Sequence, residues 1–142
     1  MFFAHESNHS CGVMTLIRKD LDIEGESCLC DPVGRFIILN ATEQGVKYVL
    51  ANICAPNKVC DQCTYFKELQ DRLDGIMSSP EQKVVIGGDF NVTFDSNLDC
   101  FGGSPAQKES VKVLEEICLD MDLVDNWRIR NPDIRLFTWK QT

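Results

Sequence analysis

The nine residues from Lys83 to Asn91 constrain the fold of this chain most strongly. Three β-branched apolar residues, Val84, Val85 and Ile86, lead directly into two glycines and then Asp-Phe-Asn. A short apolar run of this kind predicts a buried strand. The glycines predict the end of that strand and a point where other backbone approaches closely. A carboxylate and an amide therefore follow at the carboxyl end of a core strand.

Asp89 and Asn91 have two interpretations at this point. In an extended chain their side chains lie on one face, while Phe90 points inward. The carboxylate can then orient or deprotonate water, and the amide can hydrogen-bond a phosphate oxygen. Alternatively, the two residues form an Asx turn and serve only the backbone. Both interpretations place polar groups where the strand ends.

The overall composition limits the class of protein. The chain has 142 residues, of which 44% are hydrophobic and 25% charged, as in a single globular domain. Its net charge of −8 argues against holding nucleic acid by bulk attraction, but it is compatible with an acidic cleft that holds a cation. We find no apolar run of membrane-spanning length and no signal-peptide pattern. The sequence therefore predicts an intracellular protein, in nucleus or cytoplasm, that is not secreted and has no membrane partner.

Eight cysteines are many for a chain of this length. Without a secretory signal we expect them to be reduced thiols. The pair Cys60 and Cys63 suggests zinc or redox chemistry, but a zinc site needs a second ligand pair at a compatible spacing. The spacing of Cys28 and Cys30 is too tight for a usual pair, and neither histidine is spaced to help. The sequence therefore does not favour a zinc site.

Hydrophobic periodicity predicts a mixture of strands and amphipathic helices. The predicted elements are strands at 11–17, 28–30, 35–39 and 46–54, a helix at 62–78 capped by Asp61, the strand from residue 83, a helix at 107–121 and a strand at 136–140. The polar residues around His5 and His9 are assigned to a solvated terminus. Because the early strands form hairpins, we expect a mixed sheet with helices on its outer faces.

Five separated stretches, in the same order, resemble the endonuclease/exonuclease/phosphatase superfamily. More narrowly, they resemble the apurinic-type endonuclease domain of LINE (non-LTR) retrotransposon polyproteins. The stretches are SCGVMTL at 10–16, DPVGRF at 31–36, NICAPN at 52–57, GGDFN at 87–91, and DLVDNWR at 122–128 leading to FTW at 137–139. The resemblance covers essentially the whole chain. It implies an α/β fold, a four-layer α/β/β/α sandwich of two mixed sheets with outer helices, incomplete here.

The resemblance also implies a reaction, the hydrolysis of phosphodiester bonds assisted by Mg²⁺ or Mn²⁺, which nicks target DNA for retrotransposition. By resemblance, Asp89 orients or activates the attacking water, and Asn91 holds the scissile phosphate. Asn57 and Thr138 lie where the family contacts phosphate or DNA, and Cys54 stands where the family usually has tyrosine. DNA is the implied partner, with a reverse transcriptase domain in a longer polyprotein.

The sequence departs from the family pattern at both ends. The family's first strand and its metal-binding glutamate would lie before residue 1, and its Asp-containing and His-containing motifs would lie after Thr142. We therefore expect residues 1–142 to be a partial domain without a certain metal ligand, and inactive as written. Two alternatives are an inactive retroelement remnant or passive binding module, and an exonuclease III-like or inositol- or sugar-phosphate phosphatase relative.

Overall fold

The computed structural model describes residues 1–5, 12–100 and 108–136. In chain order its elements are β1 (Phe2–His5), β2 (Gly12–Thr15), β3 (Ile23–Cys30), β4 (Phe36–Glu43), β5 (Val46–Cys54), α1 (Val59–Ile76), β6 (Lys83–Asp89), α2 (Ser96–Asp99), α3 (Lys108–Asp120) and α4 (Asn126–Arg130). Four strands form one sheet in the order β3-β4-β5-β6, and β1 pairs with β2 in a second sheet. Because β6 is parallel to β5 and the other pairs are antiparallel, the larger sheet is mixed. The predicted α/β fold class is confirmed.

Strand β4 lies at the centre of the layers because it is apolar on both faces. Phe36 and Ile38 belong to the cluster that packs against helices α1 and α3. Ile37 and Leu39 point to the opposite face, where the β1-β2 sheet covers them. Alternating side chains in a strand lie on opposite faces, so a strand covered on both sides is a continuous apolar run. The described residues thus form three layers, with helices, the mixed sheet and the two-stranded sheet.

Helix α1 packs on the mixed sheet through Phe66, Leu69 and Leu73, each at most 1% exposed. These residues are part of the predicted apolar stripe. The helix begins one turn earlier than predicted, however, with Lys58 at the N-cap and no side-chain hydrogen bond there. The prediction that Asp61 caps the helix is therefore wrong. Asp61 lies in the first turn, where a carboxylate interacts favourably with the helix dipole.

Strand β6 does not stop at its glycines, as the sequence predicted. It continues through Gly87 and Gly88 to Asp89, in parallel register with β5. Gly88 has a φ of +130°, and a Cβ added to it would collide with the carbonyl oxygen of Ile53. The predicted close approach of backbone is thus confirmed at Gly88, while the predicted end of the strand is wrong.

One further segment differs from prediction, and another contains a helix that the periodicity did not predict. The segment assigned to a solvated terminus contains β1, which pairs with β2 and packs Ala4 onto β4. The polar stretch after β6 contains the short helix α2, whose N-cap Asp95 accepts hydrogen bonds from two backbone amides. Of the predicted strand at 136–140 only Leu136 is described, and it is not in a strand. No helix within the described residues is long and apolar enough to cross a membrane.

Candidate functional site

The candidate site lies where the parallel strands β5 and β6 end. Asp89 is the register partner of Cys54, and the amide of Ala55 donates to the carbonyl oxygen of Asp89 at 2.8 Å. Residues opposite each other on neighbouring strands share a face of the sheet. Asp89 and Cys54 therefore lie side by side, and Asp89 is exposed while Cys54 is half-buried.

A tight turn follows Asp89 directly. Asn91 has a φ of +51°, so the chain leaves the extended conformation here. The amide of Asn91 donates to Asp89 Oδ1 at 3.1 Å, and Asn91 Nδ2 donates to the carbonyl oxygen of Ala55 at 2.8 Å. An Asx turn is therefore present at Asp89–Asn91, and the prediction of an extended chain through Asn91 is wrong. The bond from Asn91 Nδ2 to Ala55, together with the bond from the Ala55 amide to the Asp89 carbonyl oxygen, fastens this turn to the end of β5.

Gln62 of α1 joins the two turns of the site, and sequence analysis missed it. Its Nε2 donates to the carbonyl oxygens of Asn91 at 2.9 Å and Pro56 at 3.0 Å. The side chain is fully buried, and its Oε1 has no hydrogen-bond partner. The available signal was a polar residue four positions before Phe66 on the apolar stripe of the helix. Gln62 thus holds the backbone after β5 and the backbone after β6 at a fixed separation.

Asn57 follows Pro56 and is exposed. Because Gln62 binds the carbonyl oxygen of Pro56, the backbone next to Asn57 is held near the Asp89 turn. Four of the predicted site residues thus lie at two connected strand ends: Cys54 and Asn57 at the end of β5, and Asp89 and Asn91 at the end of β6. Thr138 lies outside the described residues.

Arg35 is a second residue that the sequence did not single out. Its Nη1 donates to the carbonyl oxygen of Cys54 at 3.3 Å, and its own carbonyl oxygen accepts from the amide of Cys54 at 2.7 Å. The hydroxyl of Tyr65 also donates to that carbonyl oxygen, at 3.2 Å. Burial raises the pKa of Tyr65 well above its usual value, so the hydroxyl stays protonated. Arg35 consequently brings a guanidinium to the end of β5.

The described residues do not fit a resident Mg²⁺ or Mn²⁺ ion. Within them, no group of three or more His, Cys, Asp or Glu side chains is arranged to hold a metal ion. Asp89 supplies a single carboxylate at the site, whereas proteins bind Mg²⁺ through one or two carboxylates together with substrate phosphates and waters, so Asp89 alone is a weak holder of the ion. The described site therefore contains the carboxylate of Asp89, the side-chain amides of Asn57 and Asn91, and the guanidinium of Arg35.

Fold and site together define an α/β protein with polar residues gathered at the carboxyl ends of two parallel strands. No family model matches the chain. It is 34% identical over 140 residues to the transposon TX1 uncharacterized 149 kDa protein of Xenopus laevis, across 98% of this chain and 10% of that protein. The predicted relationship to a transposon protein is thus confirmed.

A solved structure is similar over part of the chain. It is beta toxin 275-280 from Staphylococcus aureus, which covers 58% of this chain and 30% of its own, with a TM-score of 0.44 and 18% identity.

Proposed function

We propose that this chain is the phosphate-binding part of a transposon-encoded endonuclease that acts on the phosphodiester backbone of DNA. The observation that carries the proposal is the Asp89–Asn91 turn, which two direct hydrogen bonds join to Ala55. The similarity to a transposon protein along nearly the whole chain supports it. A preorganised turn suits hydrolysis because positioning a nucleophile and stabilising charge on the phosphate are the main demands of the reaction.

Each side chain of the site has a proposed task. Asp89 is exposed at the strand end, so its carboxylate can accept a hydrogen bond from water and orient it. The exposed amide of Asn57 donates to a phosphate oxygen, and Asn91 places the turn that presents both groups. Arg35 contributes positive charge behind Cys54, which favours a phosphate at this end of the sheet.

The chain spans 10% of the length of its transposon relative. Nicking of target DNA for retrotransposition, the DNA partner and an accompanying reverse transcriptase domain therefore belong to the proposal for a longer protein. We derive no step through Mg²⁺ or Mn²⁺, because the described residues do not supply a ligand set for the ion. For this chain we propose only a phosphate-binding surface, on which Asp89 is the one carboxylate that could orient the attacking water.

Nicking of supercoiled plasmid tests how much of the reaction this chain holds. Three proteins are incubated with Mg²⁺ or with EDTA: the unchanged chain, Asp89→Ala, and the control Asp74→Ala. The control removes an exposed carboxylate of α1. We expect all three proteins to give the background seen in EDTA, because one carboxylate does not make a metal site. Nicking that needs Mg²⁺ and is lost only in Asp89→Ala would overturn the proposal that the site is partial.

A further inference from the structure

The segment from α4 to Leu136 carries positive charge on an acidic protein. Residues 126–136 contain three arginines and one aspartate, whereas the whole chain has a net charge of −8. Arg130 and Arg135 are exposed, and Arg128 is half-buried. A local cluster of one sign attracts the opposite charge even where the net charge of the protein repels it. This segment therefore favours a negatively charged partner.

Apolar side chains alternate with these arginines and lie open to solvent. Trp127 is 47% exposed, and Ile129 and Ile134 are exposed as well. Trp127 and Arg130 are three positions apart in α4, so they are neighbours on one side of the helix. An exposed indole ring can stack on a base, and a guanidinium next to it can bind a phosphate. The two side chains thus match the two parts of a nucleotide.

Arg128 fixes the shape of this surface. Its Nη2 donates to Asp99 Oδ1 of α2, and its Nη1 donates to the carbonyl oxygens of Asn131 at 2.9 Å and Ile134 at 3.1 Å. These bonds hold the chain after α4 against the helix and tie both to α2. A surface that is already ordered loses less conformational entropy when a ligand binds. Arg128 is therefore assigned to positioning, and Arg130 and Arg135 to the partner.

The mixture of an aromatic ring and arginines favours a single strand of nucleic acid over other partners. In a duplex the faces of the bases are stacked on one another, so an indole ring reaches them only after costly unstacking. A single strand presents free base faces together with its phosphates. An apolar protein surface would cover the guanidinium groups without pairing their charge, which is unfavourable.

We propose that residues 126–136 form a surface that binds single-stranded DNA, in which Trp127 stacks on a base while Arg130 and Arg135 contact phosphates. The choice of DNA rests on the proposed function, whereas the stacking and phosphate contacts rest on this segment alone. The surface contains none of the candidate site residues. It therefore holds a strand and takes no part in hydrolysis.

Quenching of tryptophan fluorescence tests the stacking contact. The chain has two tryptophans, so Trp139→Phe leaves Trp127 as the single fluorophore. Addition of a short oligo(dT) strand to Trp139→Phe should quench the emission, because a stacked base quenches an indole ring. Duplex DNA of the same length should quench it less at equal concentration.

The anisotropy of fluorescein-labelled oligo(dT) measures the affinity of each variant. Trp127→Ala should weaken binding at least about fivefold, the loss expected for one base stack, and Trp127→Phe should restore part of it. Arg130→Gln should reduce the slope of log affinity against log salt by about 0.7, the value for one phosphate contact with a single strand. The matched controls, Phe94→Ala with a ring 43% exposed and Arg72→Gln at an exposed position of α1, should bind as the unchanged chain does.

Asn57→Ala separates this inference from the proposed function, and it should leave the affinity for oligo(dT) unchanged. Binding lost in Asn57→Ala but kept in Trp127→Ala would place the strand at the ends of β5 and β6 and overturn only this inference. Circular dichroism should show the same fold in all variants, because the changed side chains are exposed. Equal affinity of Trp127→Ala and the unchanged chain, tighter binding of oligo(U) or of duplex DNA, or no binding at all would also overturn it.

Discussion

Replacing Gly88 with alanine should destabilise the protein severely, whereas the same change at Gly87 should not. At a φ of +130° an L-residue is strained, which costs about 1–3 kcal/mol. An added Cβ would also collide with the carbonyl oxygen of Ile53 and lie 2.8 Å from its nitrogen. Ile53 cannot retreat, because β5 is paired on both sides. We therefore expect Gly88→Ala to lower the free energy of unfolding by about 4 kcal/mol or more.

Gly87→Ala is the matched control for this prediction. A Cβ at Gly87 meets no heavy atom within 4 Å, so its effect should stay within about 1 kcal/mol. Urea unfolding followed by circular dichroism gives both values. Equal midpoints for Gly88→Ala and Gly87→Ala would refute the contact between β6 and β5, and with it the described position of Asp89 beside Cys54.

Three other predictions concern single side chains. Asn91→Ala should lower the free energy of unfolding by about 2 kcal/mol, from one lost hydrogen bond and strain at positive φ, and Asn91→Gly by less, both measured in urea. Gln62→Leu should cost about 1–2 kcal/mol because the carbonyl oxygens of Pro56 and Asn91 lose their donor, while Gln70→Leu, at an exposed hydrogen bond, should be near neutral in the same assay. Burial and the neighbouring Cys30 raise the pKa of Cys28 in the folded state from 9.0 to about 11, so between these pH values the folded state binds more protons than the unfolded state. The free energy of unfolding should therefore fall as the pH rises from 9 to 11, and it should fall less in Cys28→Ser. Urea midpoints measured at each pH test this.

Local signals in the sequence predicted part of the fold well. The strand at 46–54 was predicted with the bounds it has, because the turn at Gly45 and the apolar run after it are both local features. The start of α1 was missed because its cap, Lys58, makes no side-chain hydrogen bond. The end of β6 was missed because pairing with β5, which is distant in sequence, holds the glycines in the strand.

The candidate site was predictable only where its residues form a motif. The stretch around Asp89 and Asn91 marked the turn, since glycine, aspartate and asparagine are typical turn formers. Gln62 and Arg35 act through hydrogen bonds to backbone carbonyls of distant segments. Arg35 has no pattern of spacing in the sequence that marks this role. Gln62 is marked only as a polar residue on the apolar stripe of α1, and that position does not reveal which carbonyls it binds.

Mapping DNA contacts on the folded chain tests the central claim most directly. A short DNA duplex is titrated into ¹⁵N-labelled protein, and the amide chemical shifts are followed by NMR. The proposed function predicts that the largest changes fall at the amides of residues 54, 55, 57 and 88–91, and that Asp89→Ala leaves the fold unchanged. Changes confined to the arginine-containing segment 126–136, or no changes at all, would contradict the claim that DNA phosphate binds at the carboxyl ends of β5 and β6.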